Sequence, residues 1–392
     1  MHSPGILIWD KPVSFLTFLK FAIREKYWCI PLLEDYDMSG RYVQAEWTRE
    51  DLNGIFMVFL SQTPDIHFTR PGFSLILGNT LLSAIPGISG AGPSPEKTFL
   101  TPVLDAELIL TGRITSLPVR PNTPTGCPTP ATITRAMIDL TGLPPLFVNA
   151  GLRDPLTVSG FDTGGAVGGD PRAGDAVPGA RALYVRGQEI GRYLSYYSDL
   201  LVLGECVPGG TTTALCVLRA LGYPAAVSSS FARNPVSLKE EICKSSREKI
   251  ASAGVTDPLE VVRIAGDPMI PVAAGITDTY RGTLILAGGT QMLAVGAVIK
   301  ALNRALPLIA TTVYVRDDSS ANVRKIADLL GVRIYYVDPG FDTLGHEGLS
   351  RYCSGEVKEG SGAGGAMLLA RLMGHTPEKI QETIIRTVRA YD

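Results

Sequence analysis

Four glycine-rich runs, one of them headed by a glutamate, are the residues of this 392-residue chain whose types and spacing can do chemistry. Pro208-Gly209-Gly210-Thr211-Thr212-Thr213 is the best anion cradle. Glycine allows left-handed dihedrals and close approach, so successive amides can turn inward, and a helix opening behind them adds its terminal N–H groups and positive dipole end. Its natural guest is a phosphate, although a tight strand-to-helix turn with a Thr N-cap accounts for the same residues. The GxxxxGK[ST] spacing of a magnesium-triphosphate loop is absent. Ala287-Gly288-Gly289-Thr290 also follows a strand and suits ligand contact and simple turn equally. Gly164-Gly165-Ala166-Val167-Gly168-Gly169-Asp170 follows no clear strand and reads as a flexible loop. In Lys358-Glu359-Gly360-Ser361-Gly362-Ala363-Gly364-Gly365-Ala366-Met367 a carboxylate stands directly before small residues that begin an apolar helix. Glu359 is there either a dipole partner of that helix or a positioned general base.

Other chemistries lack their residues. The histidines (His2, His67, His346, His375) stand far apart and the six cysteines form no CxxC pair, which argues against structural zinc and for reduced thiols in a cytoplasmic protein. No carboxylate cluster or nucleotide-loop lysine points to a phosphate-ester hydrolase or kinase.

The elements that must position these loops are strand-loop-helix units. Leu200–Leu203 leads through the loop at 204–210 into a helix over 211–221. Thr283–Leu286 leads into a helix over 291–302. Pro307–Val315 reads as a strand ending at Arg316-Asp317-Asp318-Ser319, where Asp or Ser can cap a helix over 321–330, and Val332–Val337 reads as the next strand. Such repetition predicts a parallel sheet, with the ligand crevice beyond the carboxyl ends of its strands. Five prolines between Pro118 and Pro130 predict a turn-rich connection, followed by a helix over 129–140.

Composition sets the frame. A hydrophobic fraction of 45% supplies a sizeable core, and 36 basic against 38 acidic residues leave a charge of -2, which gives no footprint for nucleic acid or an anionic membrane. Phe15–Leu33 is interrupted by Lys20, Arg24, Glu25 and Lys26, short of a membrane span. Residues 1–72 differ in composition from the rest. They are either a capping subdomain or an extension from a start codon placed too early, with Met57 an alternative start. Residues 73–392 then form the α/β domain.

Gly204-Glu205-Cys206-Val207-Pro208-Gly209-Gly210-Thr211-Thr212 and Glu359-Gly360-Ser361-Gly362-Ala363 resemble the nicotinate-nucleotide:dimethylbenzimidazole phosphoribosyltransferases, which read GEMGIGNTT and GEGSGA there. Ile85–Gly92, Pro124–Pro130 and Gly355–Gly360 are similar to the divergent archaeal-type branch of that family, and the likeness covers Phe73 to Asp392. The resemblance implies a three-layer α/β/α domain with a mostly parallel Rossmann-like sheet and a smaller, mainly helical part built from portions of 73–150 and the C-terminus, usually as a homodimer. It implies transfer of the phosphoribosyl group of nicotinate mononucleotide to a benzimidazole-type base, giving α-ribazole 5'-phosphate and nicotinate in cobalamin lower-ligand assembly, with no cofactor and no metal. Glu359 matches the family's base, and Glu205, Gly209, Gly210, Thr211 and Thr212 match its nucleotide loop. Gly288, Gly289, Thr290 and Gly360 join them, with Lys239 as the nucleotide lysine and Lys244 as its rival. The chain departs from the bacterial pattern at Ala265-Gly266-Asp267-Pro268, at Gly210 and at Ala287. Cys206 and Cys127 read as a packed thiol and a turn residue. The second reading, from another class, is a nucleotide-binding regulator or degenerate homologue that keeps the phosphate loops without the transfer.

Overall fold

The computed structural model describes residues 59–92, 94 and 97–391, together with two backbone segments nearer the N-terminus. The chain forms two compact units, Met1–Met57 and Val58–Asp392. In the first, strand β1 (Glu34–Tyr36) pairs antiparallel with β2 (Tyr42–Gln44). The segment Phe15–Leu33 and the alternative start Met57 lie outside the described residues. Among the described residues, no helix is long and apolar enough to cross a membrane.

The second unit is built on β3 (Pro71–Gly78), β4 (Pro145–Gly151), β5 (Gly160–Asp162), β6 (Leu200–Cys206), β7 (Thr283–Ala287), β8 (Leu308–Thr312) and β9 (Ile334–Val337). They form one sheet in the order β5-β4-β3-β6-β7-β8-β9, and every pairing between them is parallel. Phe59 to Ser61 flank its far edge, with Ser61 N–H donating to Tyr336 O and Asp338 N–H to Phe59 O. This unit therefore takes in residues 59–72, which composition alone groups with the N-terminal extension.

Central strands buried on both faces explain the uninterrupted apolar runs: along β6, Leu201 and Leu203 enter one core while Leu200 and Val202 enter the other. On the first face lie α3 (Ala180–Tyr197), α4 (Gly210–Ala220), α5 (Val236–Ser252), α6 (Pro258–Ala265), α7 (Met269–Thr279), α8 (Thr290–Ala301) and α9 (Val323–Leu330). On the second lie α1 (Thr101–Thr111), α2 (Pro130–Thr141), α10 (Ala363–Leu372) and α11 (Pro377–Arg389). The result is the three-layer α/β/α fold expected. Strand order reverses direction at β3, and helices change face there, as right-handed crossovers require. The switch point lies between β3 and β6, which carries Glu205 at its carboxyl end.

Three sequence expectations need correction. Pro307–Val315 is not one strand: β8 stops at Thr312, whose N–H goes to the Glu359 carboxylate, and Val313–Arg316 is a helical turn. Neither Asp nor Ser caps α9. Asp318 accepts from Ser320 N–H and from the Ser228 hydroxyl, while Asn322 ties Pro224 O and Ala226 N–H, so the helix starts at Val323. The run at 164–170 is not a free loop either. It follows β5 and is fastened to the end of β3, Gly168 N–H donating to Asn79 O and Leu81 N–H to Gly168 O.

Candidate active site

Glu359 sits at the carboxyl end of β8 in a nest of donors. Its Oε1 accepts from Gly360 N–H at 3.2 Å and Gly364 N–H at 3.1 Å; its Oε2 accepts from Thr312 N–H at 3.1 Å and Thr311 Oγ1 at 3.4 Å. Gly364 lies in the first turn of α10, so the carboxylate does meet a helix N-terminus. A Cβ at Gly364 would stand 2.7 Å from Oε2, so only glycine lets the acid nestle there. Burial pushes the carboxyl up to about 7, against the four donors that favour its ionised form. A helix-dipole partner held only for stability would be driven toward low pKa. Here desolvation wins, and the group is poised to exchange a proton near neutrality.

The turn that makes this nest is held in unusual backbone. Ser361 (φ 49°) and Gly362 (φ 71°) are both left-handed. The approach of α10 to β6 is close: a Cβ at Gly204 would lie 3.0 Å from Gly362 Cα.

Glu205 is buried at the end of β6, its Oε2 accepting from Val207 N–H at 3.0 Å and Gln291 Nε2 at 2.9 Å. Burial first, then the nearby charge of Asp267 and, less, that of Glu359, raise its carboxyl to about 8. At pH 7 it is therefore neutral and can donate. Asp267 is fully buried, accepts from Thr213 Oγ1 at 2.5 Å and caps α7 through Met269 N–H, with burial raising it to about 6. Thus the departure at 265–268 brings a third carboxylate to the site. Sequence reasoning missed this cluster because its members come from loops far apart along the chain.

Gly209 (φ 81°) makes the turn after β6 and packs on Ser83, whose N would lie 3.0 Å from any Cβ there. The amides of Gly210 and Thr212 bond within the turn, to Val207 O and Gly209 O. The anion-facing capacity of this loop therefore rests on its side-chain partners more than on a full ring of free amides. Lys239 supplies it: its ammonium, buried in α5, donates to Thr211 Oγ1 at 3.0 Å and Ser228 O at 2.7 Å. Burial lowers it to about 7, with Asp318 opposing that shift and Lys358 adding to it. Its rival Lys244 is exposed.

Gly288 lies against Glu205, where a Cβ would be 3.3 Å from Oε1. Gly289 precedes α8, and the hydroxyls of Thr290 and Thr212 are buried without a protein hydrogen-bond partner. Gly360 packs on Pro130 and gives its N–H to Glu359. The structure thus brings Glu359, Glu205, Gly288 and the end of β8 together, with Thr211 and Lys239 linked beside them.

Two departures gain a physical reason. A side chain at position 210 would overlap Gln291 Nε2, so the Gln291 amide occupies the space that a residue there would take. Ala287 lies beneath α10, where a Cβ on Gly365 would overlap its own, leaving no room for an acid. Gln291 was missed in the sequence, although a polar residue directly after Gly288-Gly289-Thr290, opening an otherwise apolar helix, is a signal that could have found it. Lys358 was also missed as a fastener: buried, it donates to Ser229 O and Phe231 O and pairs with Asp318 at 3.5 Å. Cys206 and Cys127 are both buried, the latter directly after the turn at 124–126 and packed in the α2 side of the core. Among the described residues no His/Cys/Asp/Glu group is arranged to hold a metal ion.

No protein-family model matches the chain. It is 42% identical over 328 residues to a UPF0284 protein of Methanosarcina mazei, covering 80% of this chain and 93% of that one. The UPF0284 protein of Methanothermobacter thermautotrophicus is likewise 42% identical over 328 residues, with 80% and 90% covered. That of Archaeoglobus fulgidus is 41% identical over 318 residues, with 80% and 92% covered. Among solved structures, the nicotinate-nucleotide-dimethylbenzimidazole phosphoribosyltransferase of Thermus thermophilus is similar with a TM-score of 0.51 at 17% identity, over 82% of this chain and 83% of that one. A structure of CobT from the same organism gives 0.54 at 16% identity, over 82% and 84%. At such identities the likeness shows a common fold, the α/β fold that the glycine loops and the Glu359 run led one to expect. By its archaeal relatives, the chain belongs to the UPF0284 family.

Proposed function

We propose that this protein transfers the phosphoribosyl group of nicotinate mononucleotide to a benzimidazole-type base in cobalamin lower-ligand assembly. The observation that carries the proposal is the Glu359 carboxyl, seated on four donors at the carboxyl ends of the strands and balanced near pH 7. A nitrogen of the incoming base attacks C1' of the ribose, the bond from C1' to the pyridinium nitrogen breaks, and nicotinate leaves with a neutral ring. Glu359 takes the N–H proton of the attacking base. The leaving group needs no protonation, so one carboxylate suffices as proton acceptor. Lys239 and Thr211 anchor the phosphate on the loop that Gly209, Gly210 and Thr212 shape. Glu205, neutral at pH 7, donates to the nucleotide, and Gly288, Gly289, Thr290 and Gly360 form the wall beside it. Holding both reactants in line can remove on the order of 7–11 kcal/mol of barrier. The working form is a cytoplasmic homodimer without a cofactor.

The test is incubation of the purified protein with nicotinate mononucleotide and a panel of bases (dimethylbenzimidazole, benzimidazole, adenine, phenolics), with detection of α-nucleotide phosphate and released nicotinate. Product with at least one base is expected. No turnover with any base, together with retained nucleotide binding, would leave a nucleotide-binding regulator as the function.

A further inference from the structure

Outside the residues assigned so far, one buried acid touches the site from α1, in the helical layer that also carries α10. Asp105, in the middle of α1, is 7% exposed. Its Oδ2 accepts from Ser361 Oγ at 2.5 Å and from Cys206 Sγ at 3.4 Å. The Thr129 hydroxyl, at the N-cap of α2, also bonds it. One carboxylate thus joins the end of β6, beside Glu205, to the turn that follows Glu359 and to the start of α2.

Ser361 is the link that matters. Of the described residues, only Asn303 and Ser361 adopt positive φ without being glycine. A side chain disfavours that conformation, and it persists where surrounding bonds over-determine it. Ser361 is fixed at two points: its hydroxyl donates to Asp105, and its carbonyl accepts from Thr134 Oγ1 at 2.8 Å. The residues on either side of this turn, Gly360 and Gly364, supply the two N–H groups that hold Glu359 Oε1. If Ser361 returned to a right-handed or extended conformation, both N–H groups would swing away from the carboxylate.

We propose that Asp105 is a positioning residue: by holding the Ser361 hydroxyl it keeps the turn at 360–364 left-handed, and so keeps the Gly360 and Gly364 N–H groups aimed at Glu359. Asp105 touches no reacting atom. It acts through Ser361 on the ionisation of Glu359, whose other charged and titratable neighbours are Glu205 on β6 and the buried Tyr352, with Lys358 preceding it in the chain. Loss of the two N–H donors removes stabilisation of the ionised form, so the Glu359 midpoint moves to higher pH.

Asp105 serves the proposed transfer, but its effect on Glu359 can be read without turnover. The carboxyl of Glu359, labelled with carbon-13, is titrated by NMR in the wild-type protein, in Asp105→Ala, in Asp105→Asn and in the double variant Asp105→Ala/Ser361→Gly. Asp105→Ala is expected to raise the Glu359 midpoint by about one pH unit, a tenfold loss of ionised base below the midpoint. Asp105→Asn keeps an oxygen acceptor for Ser361 and should leave the midpoint near the wild-type value. Ser361→Gly removes the need for that bond, because glycine adopts the turn unaided, and should restore the midpoint in the Asp105→Ala background. A merely structural role for Asp105 would not predict that rescue. An unchanged midpoint in Asp105→Ala, or no restoration by Ser361→Gly, overturns the proposal. Should Asp105→Ala fail to fold, the double variant against Asp105→Asn carries the comparison, and a raised midpoint in either overturns it. Absence of transfer in the wild-type protein would defeat the proposed activity while leaving the titration readable.

Discussion

Glu359 accepts the Gly364 N–H from the first turn of α10 and the Thr312 N–H from the end of β8. It does sit at the N-terminus of α10, and its carboxyl is nevertheless raised to about 7, because burial outweighs the donors around it. Glu359→Gln keeps size but cannot accept a proton, and its NH2 can serve only one of the two donor pairs that hold the carboxylate oxygens. Transfer should fall by at least ~100-fold, the low end of what a positioned base contributes, while isothermal titration with nicotinate mononucleotide shows affinity nearly unchanged. Equal loss of binding would make Glu359 a structural acid. The pH dependence has two limbs. Glu359 must be ionised, so activity rises through about pH 7; Lys239 must be charged to hold phosphate, and its ammonium, lowered to about 7, loses its proton as pH rises further. A bound phosphate raises the Lys239 value, so kcat/KM, which reports the free protein, should be bell-shaped near neutrality, while kcat keeps rising over the same range. A kcat/KM that does not decline on the alkaline side would remove Lys239 from phosphate binding.

At the scale of elements, the site depends on how closely α10 approaches β6 and β8. Gly364→Ala would set a Cβ 2.7 Å from both Glu359 Oε2 and the Thr311 carbonyl carbon, and neither the strand backbone nor the helix start can yield far. We expect a loss of ~1–3 kcal/mol by denaturant titration, typical of overpacking, along with loss of transfer. Gly296→Ala is the contrasting change: within α8, its Cβ would meet only Leu330 Cδ1 at 3.9 Å, so a gain of ~0.5–1 kcal/mol is expected from helix propensity. If both changes cost stability alike, the close contact of α10 with β8 is not the cause. What was legible in the sequence follows the same division. Strand-loop-helix units and glycine turns are local patterns, so β7 and the helices after β6 and β7 could be read within one residue, while β6 is legible from its first residue but runs three residues past Leu203 to Cys206. The end of β8 could not, because Val313-Tyr314-Val315 continue the run of strand-favouring residues, and the bonds that engage Thr312 at the strand end go to Glu359 and Lys358, 47 and 46 residues away. Nor could the meeting of Asp105, Glu205, Asp267 and Glu359, which tertiary packing alone brings about.

Across the whole molecule, these four acids concentrate cost at one end of the sheet. Each has a carboxyl raised above its ordinary value of 3.8 or 4.5: Asp105 and Asp267 to about 6, Glu359 to about 7 and Glu205 to about 8, all chiefly by burial. A carboxyl that binds its proton more tightly in the folded state contributes stability fully present below its unfolded pKa, and that contribution is lost as pH rises through the folded value. From these groups alone, stability should decline from about pH 4 to about pH 8. The scaffold tolerates this because the remaining core is large and the net charge of -2 adds little self-repulsion. Glu205→Gln isolates the largest contribution. Glutamine is neutral at every pH and its amide oxygen can still accept from Val207 N–H and Gln291, so the folded state keeps its bonds while the unfolded state loses the ionisation that competes with folding. The melting temperature of Glu205→Gln relative to wild type should therefore be nearly equal at pH 4, rise between pH 5 and 8, and level off above that. A gain that is the same at pH 5 and pH 8.5 would mean that packing, and not the proton, sets the difference.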